Sequence, residues 1–297
     1  MKFKVDGIIS AMVTPFTRDG EYVDYDKVGA LAQFLVKAGV HGLFPCGTTG
    51  EGLLMSPVER MEVLEEVVAA VGGKTLIIAH TGAMDLATTI DLTRHAQACG
   101  ADAAGIVAPG FYGYDDISLE NYYRRIARAV KGFPVLLYNI PSCAKNALSA
   151  EIVIRLAKTT ENIVGIKDSS GDMALLTRLI GNAPKGFQVV NGADDYGYQA
   201  FLAGSPGAVS GTSNVVWDVY LSVYSQIKKG DLKKAWQAQV VLEKMCRVLE
   251  YGRKTAIFKE GLRLRGFDAG YVRPPQRELT AAEKKRLAKD LAAAGII

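Results

Sequence analysis

The stretch Asn162-Ile163-Val164-Gly165-Ile166-Lys167-Asp168-Ser169-Ser170-Gly171-Asp172 is an apolar run that ends on a lysine and opens into a loop of small polar residues. A helical pattern follows over 173–182. The run lacks clean period-two alternation, as expected of a parallel strand covered on both faces. A lysine at the end of such a strand is costly, because burial disfavours its charged form. The neutral amine that burial favours is a nucleophile that can attack a ketone and form a Schiff base. The alternative is a strand-end lysine whose ammonium simply snorkels to water.

Outward from this unit, short apolar runs recur at 7–13, 42–46, 75–80, 103–108, 134–139, 163–167, 187–191 and 208–210. Amphipathic segments separate them at 24–38, 57–71, 86–99, 119–130, 150–158, 173–182, 195–203 and 216–228. Eight strand–helix units in strict alternation predict an α/β fold, a TIM (β/α)8 barrel. The barrel is placed over 1–230. Three further helical patterns, 231–250, 253–265 and 281–294, predict a C-terminal helical extension (231–297) packed on it. Ser56-Pro57-Val58-Glu59 and Thr280-Ala281-Ala282-Glu283 read as helix-starting capping boxes, and Gly39, Gly72, Gly100 and Gly132 as helix ends.

Composition narrows the function. With 297 residues, 49% hydrophobic and 22% charged, the chain can bury the core of one barrel of about 250 residues. No apolar run approaches the roughly 18 residues of a membrane span, and the start reads as the first strand, not a signal peptide. Cys46, Cys99, Cys143 and Cys246 form no CxxC, which fits a reducing cytoplasm. His41, His80 and His95 make no HExxH, so no catalytic metal is suggested. A net charge of +4 spread along the chain carries no nucleic-acid motif.

In such barrels the chemistry sits at the C-terminal ends of the strands. Lys167 ends strand six, Tyr138 ends strand five, and Gly47-Thr48-Thr49-Gly50-Glu51-Gly52 follows strand two. The loop lacks the ending of a P-loop. Its glycines let backbone N–H groups converge, and the hydroxyls of Thr48 and Thr49 add donors able to hold a carboxylate. Tyr138 with Thr49 can form a hydroxyl relay serving the lysine adduct. Gly192, Ser210 and Gly211 reach the same mouth from strands seven and eight. His80, ending strand three, reads as a structural histidine before a substrate contact, and Asp194-Asp195 as helix-start acids.

Gly47-Thr48-Thr49-Gly50-Glu51, Tyr138-Asn139-Ile140-Pro141 and Gly165-Ile166-Lys167-Asp168, in this order and spacing, closely resemble the dihydrodipicolinate synthase/N-acetylneuraminate lyase family. The resemblance spans essentially the whole chain. It implies a class I aldolase barrel with pyruvate held as a Schiff base on Lys167 and no metal or organic cofactor. By the same mapping Tyr138 relays protons, Thr48 and Thr49 bind the pyruvyl carboxylate, and Thr49 links to Tyr138. A relay tyrosine from a neighbouring subunit is matched by Tyr112, and a homotetramer built as a dimer of dimers is implied.

The aldehyde partner is read from departures. Where the synthases carry an arginine for the second substrate's carboxylate, this chain has Cys143, and Gly52 replaces the serine usual after the glutamate. Cysteine has neither the charge nor the fork of arginine. The loop from Asp168 and Ser169 to Asp172 resembles that of aldolases acting on 2-keto-3-deoxy sugar acids, and its hydroxyls suit a polyol. The expected function is therefore a pyruvate-dependent lyase for a 2-keto-3-deoxy sugar acid. The alternatives are 4-hydroxy-tetrahydrodipicolinate synthase, which condenses pyruvate with aspartate semialdehyde, a dehydratase of similar sugar acids, or a non-catalytic 2-keto acid binder.

Overall fold

Parallel strands without a polar face need helices outside and side chains inside. In the computed structural model, described over residues 3–250 and 255–297, both are supplied by a closed eight-stranded barrel. The strands are β1 (Gly7–Ser10), β2 (Gly42–Leu43), β3 (Leu76–His80), β4 (Ala103–Val107), β5 (Val135–Asn139), β6 (Ile163–Asp168), β7 (Gln188–Asn191) and β8 (Gly207–Ser210). They pair in sequence order, and β1 pairs with β8 to close the ring. The helices are α1 (Tyr25–Lys37), α2 (Pro57–Val71), α3 (Leu86–Cys99), α4 (Asp116–Ala129), α5 (Pro141–Ala144) and α6 (Ala150–Thr159). After them come α7 (Met173–Asn182), α8 (Gly197–Ala203), α9 (Trp217–Lys228), α10 (Leu232–Leu249), α11 (Ala256–Leu264) and α12 (Ala281–Ala293).

Alternation along the strands, hidden in the apolar runs, divides the core in two. Ile9, Ile78, Leu136, Tyr138, Val190 and Val209 pack with Phe44 inside the barrel. Their neighbours Ile77, Leu137, Ile166 and Val189 face outward onto Leu31, Val67, Ile126 and Leu156 of the helices. Each fully buried aliphatic side chain contributes about 1.5–3 kcal/mol relative to exposure. A further cluster joins Leu242, Ile257 and Leu287 of the C-terminal helices to Ile8, Ala208 and Tyr220.

Several boundaries differ from expectation. β1 and β2 stop at Ser10 and Leu43, short of 13 and 46. Pro45 cannot donate to a ladder, and Cys46 turns the chain with a left-handed φ of 59°. Helix α4 starts at Asp116 rather than 119, because the Asp115 carboxylate accepts the Ser118 amide at 2.8 Å. The expected 195–203 helix is split into a 3-10 turn, Asp194–Tyr196, and α8. Residues 253 and 254 of the pattern at 253–265 lie outside the described residues, and α11 begins at Ala256.

The segment between α11 and α12 carries no regular pattern yet braces the mouth of the barrel. Tyr271 bridges to Phe16, and the Arg273 guanidinium donates to Glu59 at 2.7 and 2.9 Å. The Arg273 amide donates to the Glu51 carboxylate at 3.0 Å. Lys259 on α11 completes the brace, its Nζ lying 2.9 Å from Glu51 Oε1 in an ion pair almost sealed from solvent.

Candidate active site

Lys167 and Tyr138 stand opposite each other in the β5–β6 register, so both point into the barrel at its C-terminal mouth. They are 5% and 2% exposed. Lys167 Nζ lies 4.1 Å from the centroid of the Tyr138 ring and 4.7 Å from that of Phe44. The amine thus sits in an aromatic slot, with the phenol on the adjoining strand. Gly192 keeps the approach open from β7: a Cβ there would lie 2.1 Å from Ser169 Oγ and 3.1 Å from Lys167 Cε. Ser169 Oγ donates to the Gly192 carbonyl at 3.1 Å, which fixes these two residues beside the amine.

The loop after β2 is shaped by two left-handed residues, Cys46 and Glu51, with φ of 59° and 55°. The Gly52 amide closes it by donating to the Gly47 carbonyl at 3.1 Å. A Cβ at Gly52 would fall 1.8 Å from the Cys46 oxygen, so this fold of the loop has no room for a side chain there. Thr48 Oγ1 comes within 3.4 Å of the Tyr138 hydroxyl. The link expected from Thr49 is therefore made by Thr48. Thr49 turns the other way, its Oγ1 being 2.9 Å from where a Cβ on Gly211 would stand.

Two expected substrate contacts are already occupied. Asp168 alternates with Lys167 and points out of the barrel. Its Oδ1 accepts from Asn139 Nδ2 at 2.8 Å and the Ser170 amide at 3.2 Å, and its Oδ2 accepts from Ser170 Oγ at 3.0 Å. Burial raises its pKa, and these bonds oppose the rise. Ser210 Oγ donates to Asp194 Oδ2 at 2.7 Å, so it orients a buried carboxylate instead of facing the mouth freely. Asp194 was read from sequence as a helix-start acid. Burial raises its pKa, while Ser210, Thr212 and the charge of Lys167 pull it down. A buried acid within reach of the lysine's field was missed, because only the β7–β8 packing shows it.

Tyr112 lies on the rim, 65% exposed, with its ring edge-on to Phe111 at 5.0 Å. Among the described residues its hydroxyl makes no hydrogen bond, and nothing joins it to Lys167 within this chain. Cys143 is exposed at the same rim, on α5. His80, by contrast, is 5% exposed and reaches the site, its ring standing edge-on to Tyr138 with centroids 5.9 Å apart. No group of His, Cys, Asp and Glu able to hold a metal occurs among the described residues, and none of their helices is long and apolar enough to cross a membrane.

The sequence profile of the dihydrodipicolinate synthetase family matches residues 4–294. The chain belongs to this family. Members of the dihydrodipicolinate synthetase family are lyases that form carbon–carbon bonds with pyruvate held as a lysine Schiff base, without an external cofactor. The 4-hydroxy-tetrahydrodipicolinate synthase of Methanopyrus kandleri is 32% identical over all of this chain and 99% of its own length. An uncharacterized DapA-like lyase of Halobacterium salinarum is 36% identical, covering 98% of this chain and 94% of its own. The structure of the E. coli K12 prophage protein YagE in complex with pyruvate superimposes with a TM-score of 0.93 at 30% identity, over 98% of this chain and 99% of that one. The closed barrel and C-terminal helices are those of the family.

Proposed function

We propose that Lys167 is the Schiff-base lysine of a pyruvate aldolase in which Tyr138 and Thr48 move the protons. The observation that supports this most directly is the buried amine 4.1 Å from the Tyr138 ring, in register on neighbouring strands at the open end of the barrel. The Lys167 amine attacks the keto carbon of pyruvate, and water leaves to give the iminium. The iminium draws electrons from the methyl carbon, a proton leaves to Tyr138 as the phenol passes its own proton by way of Thr48 to water, and an enamine remains. The enamine carbon bonds to the aldehyde carbon, and the aldehyde oxygen takes the proton back from Tyr138. Water then releases a 4-hydroxy-2-keto acid and frees the amine. Thr48 polarises the phenol, while the backbone of Gly47–Thr49 faces the pyruvyl carboxylate.

The aldehyde is not aspartate semialdehyde in this reading. Relatives named 4-hydroxy-tetrahydrodipicolinate synthase favour that substrate. Cys143 supplies no cation for its carboxylate, however. Preference for a 2-keto-3-deoxy sugar acid keeps Cys143 as support, but most polar groups of the 168–172 loop are engaged within the chain. Asp168 and Ser170 bond to each other, and Asp172 caps α7 through the amides of Ala174 and Leu175. Of that loop, Ser169 remains beside the amine. The test is borohydride reduction in the presence of pyruvate. A stable mass adduct on the peptide containing Lys167 is expected, abolished in Lys167→Ala. A wild-type chain that turns pyruvate over with no such adduct would refute the reading, and pyruvate binding without adduct or turnover would mark a non-catalytic binder.

A further inference from the structure

A cavity of about 300 Å³ opens beside Thr48 and is not used by the steps above. Leu53, Leu54, Met84, Val107, Phe111 and Ile140 wall it. Among the described residues no arginine or lysine lines it, and its one carboxylate, Glu51, is already matched by Lys259 at 2.9 Å. A carboxylate entering would surrender water without gaining a cation, and a polyol would meet mostly apolar wall.

Thr48, Cys143, Gln276 and His80 interrupt this mainly apolar lining, and of these four His80 is the one buried. His80 lines the cavity and is 5% exposed, with its Nδ1 3.3 Å from Arg60 Nη2. A guanidinium can only donate, so Nδ1 must accept and the ring proton belongs on Nε2. Burial, with the charges of Arg60 and Lys167, holds the His80 pKa well below its ordinary value and keeps the ring neutral. Nε2 is buried and has no hydrogen-bond partner among the described residues. A buried donor left unpaired is costly, and a ligand acceptor relieves that cost.

We propose that this cavity receives the substituent of the aldehyde, that the substituent is uncharged and mainly apolar, and that His80 Nε2–H recognises one acceptor oxygen on it. The inference rests on the Schiff-base reading above and names its second substrate by class. Thr48 makes the connection: its hydroxyl is 3.4 Å from the Tyr138 hydroxyl, and the same residue lines the cavity. An aldehyde whose oxygen takes the Tyr138 proton therefore has its chain directed past Thr48 into the cavity. The volume lies at the low end of the roughly 300–1,000 Å³ of ligand pockets, which suits one aromatic ring or a short branched chain.

The experiment supplies the full chain with pyruvate and, in turn, benzaldehyde, its three methoxy isomers, glyceraldehyde and aspartate semialdehyde. Borohydride trapping on Lys167 is read in parallel for every variant, as a check that the site is folded. The aromatic aldehydes are expected to exceed glyceraldehyde and aspartate semialdehyde in kcat/KM by at least about tenfold. The best methoxy isomer should exceed benzaldehyde by about tenfold, the worth of one hydrogen bond. His80→Leu should erase that ratio, and His80→Gln, which keeps a donor, should restore part of it. Preference for glyceraldehyde or aspartate semialdehyde in a chain that forms the adduct overturns this inference alone. An equal loss for benzaldehyde and its methoxy isomers in His80→Leu does the same. Absence of the adduct in the wild type overturns the Schiff-base reading with it.

Discussion

Replacing Lys259 by methionine removes the cation that neutralises Glu51, a carboxylate whose side chain is 1% exposed. The same Nζ donates to the Thr14 carbonyl at 2.6 Å and to Tyr271 O, and sits 4.6 Å from the centroid of Phe16. Methionine fills most of the volume but leaves the Glu51 carboxylate with the Arg273 amide at 3.0 Å as its remaining partner. Breaking a buried pair from one side costs about 3–5 kcal/mol, whereas replacing both partners with neutral groups is often close to neutral. Lys259→Met should therefore lose about 3–5 kcal/mol in urea unfolding at pH 7, and adding Glu51→Gln should recover most of it. The pH dependence has a definite sign. Burial already raises the Glu51 pKa against the lowering effect of Lys259, so deleting the lysine raises it further. A carboxyl with a raised folded pKa favours folding fully below its unfolded value, and that advantage disappears as pH climbs through the folded value. The deficit of Lys259→Met should thus shrink between pH 7 and pH 5. A loss under about 1 kcal/mol, or a deficit that widens with acid, would refute the assignment.

Thr48→Val should slow deuterium exchange at the methyl group of pyruvate in D2O more than Thr49→Val does, because Thr48 is the partner of the Tyr138 hydroxyl. Proton NMR measures both, with a loss of order tenfold or more expected for the first. His80 contributes a separate acid sensitivity. Held neutral in the fold, it takes up a proton only on unfolding, so stability falls as pH drops below about 6.5, by at most ~1.4 kcal/mol per pH unit. His80→Leu should flatten the unfolding midpoint between pH 6.5 and pH 5, and a slope equal to wild type would show that another group is responsible.

The barrel was legible because eight apolar runs, each followed by a helical pattern, leave few alternatives, and Lys167 and Tyr138 were legible because strand ends in such a fold share one mouth. What escaped depended on partners distant in the chain or on local dihedrals. Thr48 and Thr49 are adjacent and chemically identical, so only the left-handed turns at Cys46 and Glu51 decide which one meets Tyr138. Asp168 looked available because its partner Asn139 belongs to another strand. The brace formed by Lys259 and Arg273 carries no periodicity. The unpaired Nε2 of His80 follows from Arg60, which lies on α2, a different element from the strand that carries His80.

The Asn139–Asp168 hydrogen bond lies one residue beyond Tyr138 and Lys167, on the outer side of the same two strands. Because side chains alternate, sliding β6 past β5 by a single position would turn Lys167 outward among the helices and point Asp168 into the barrel. That amide–carboxylate clasp spans β5 and β6 in the register that keeps Lys167 inside the barrel. If Lys167 is the Schiff-base lysine, the fraction of purified chains that pyruvate and borohydride label should track the fraction that holds this register.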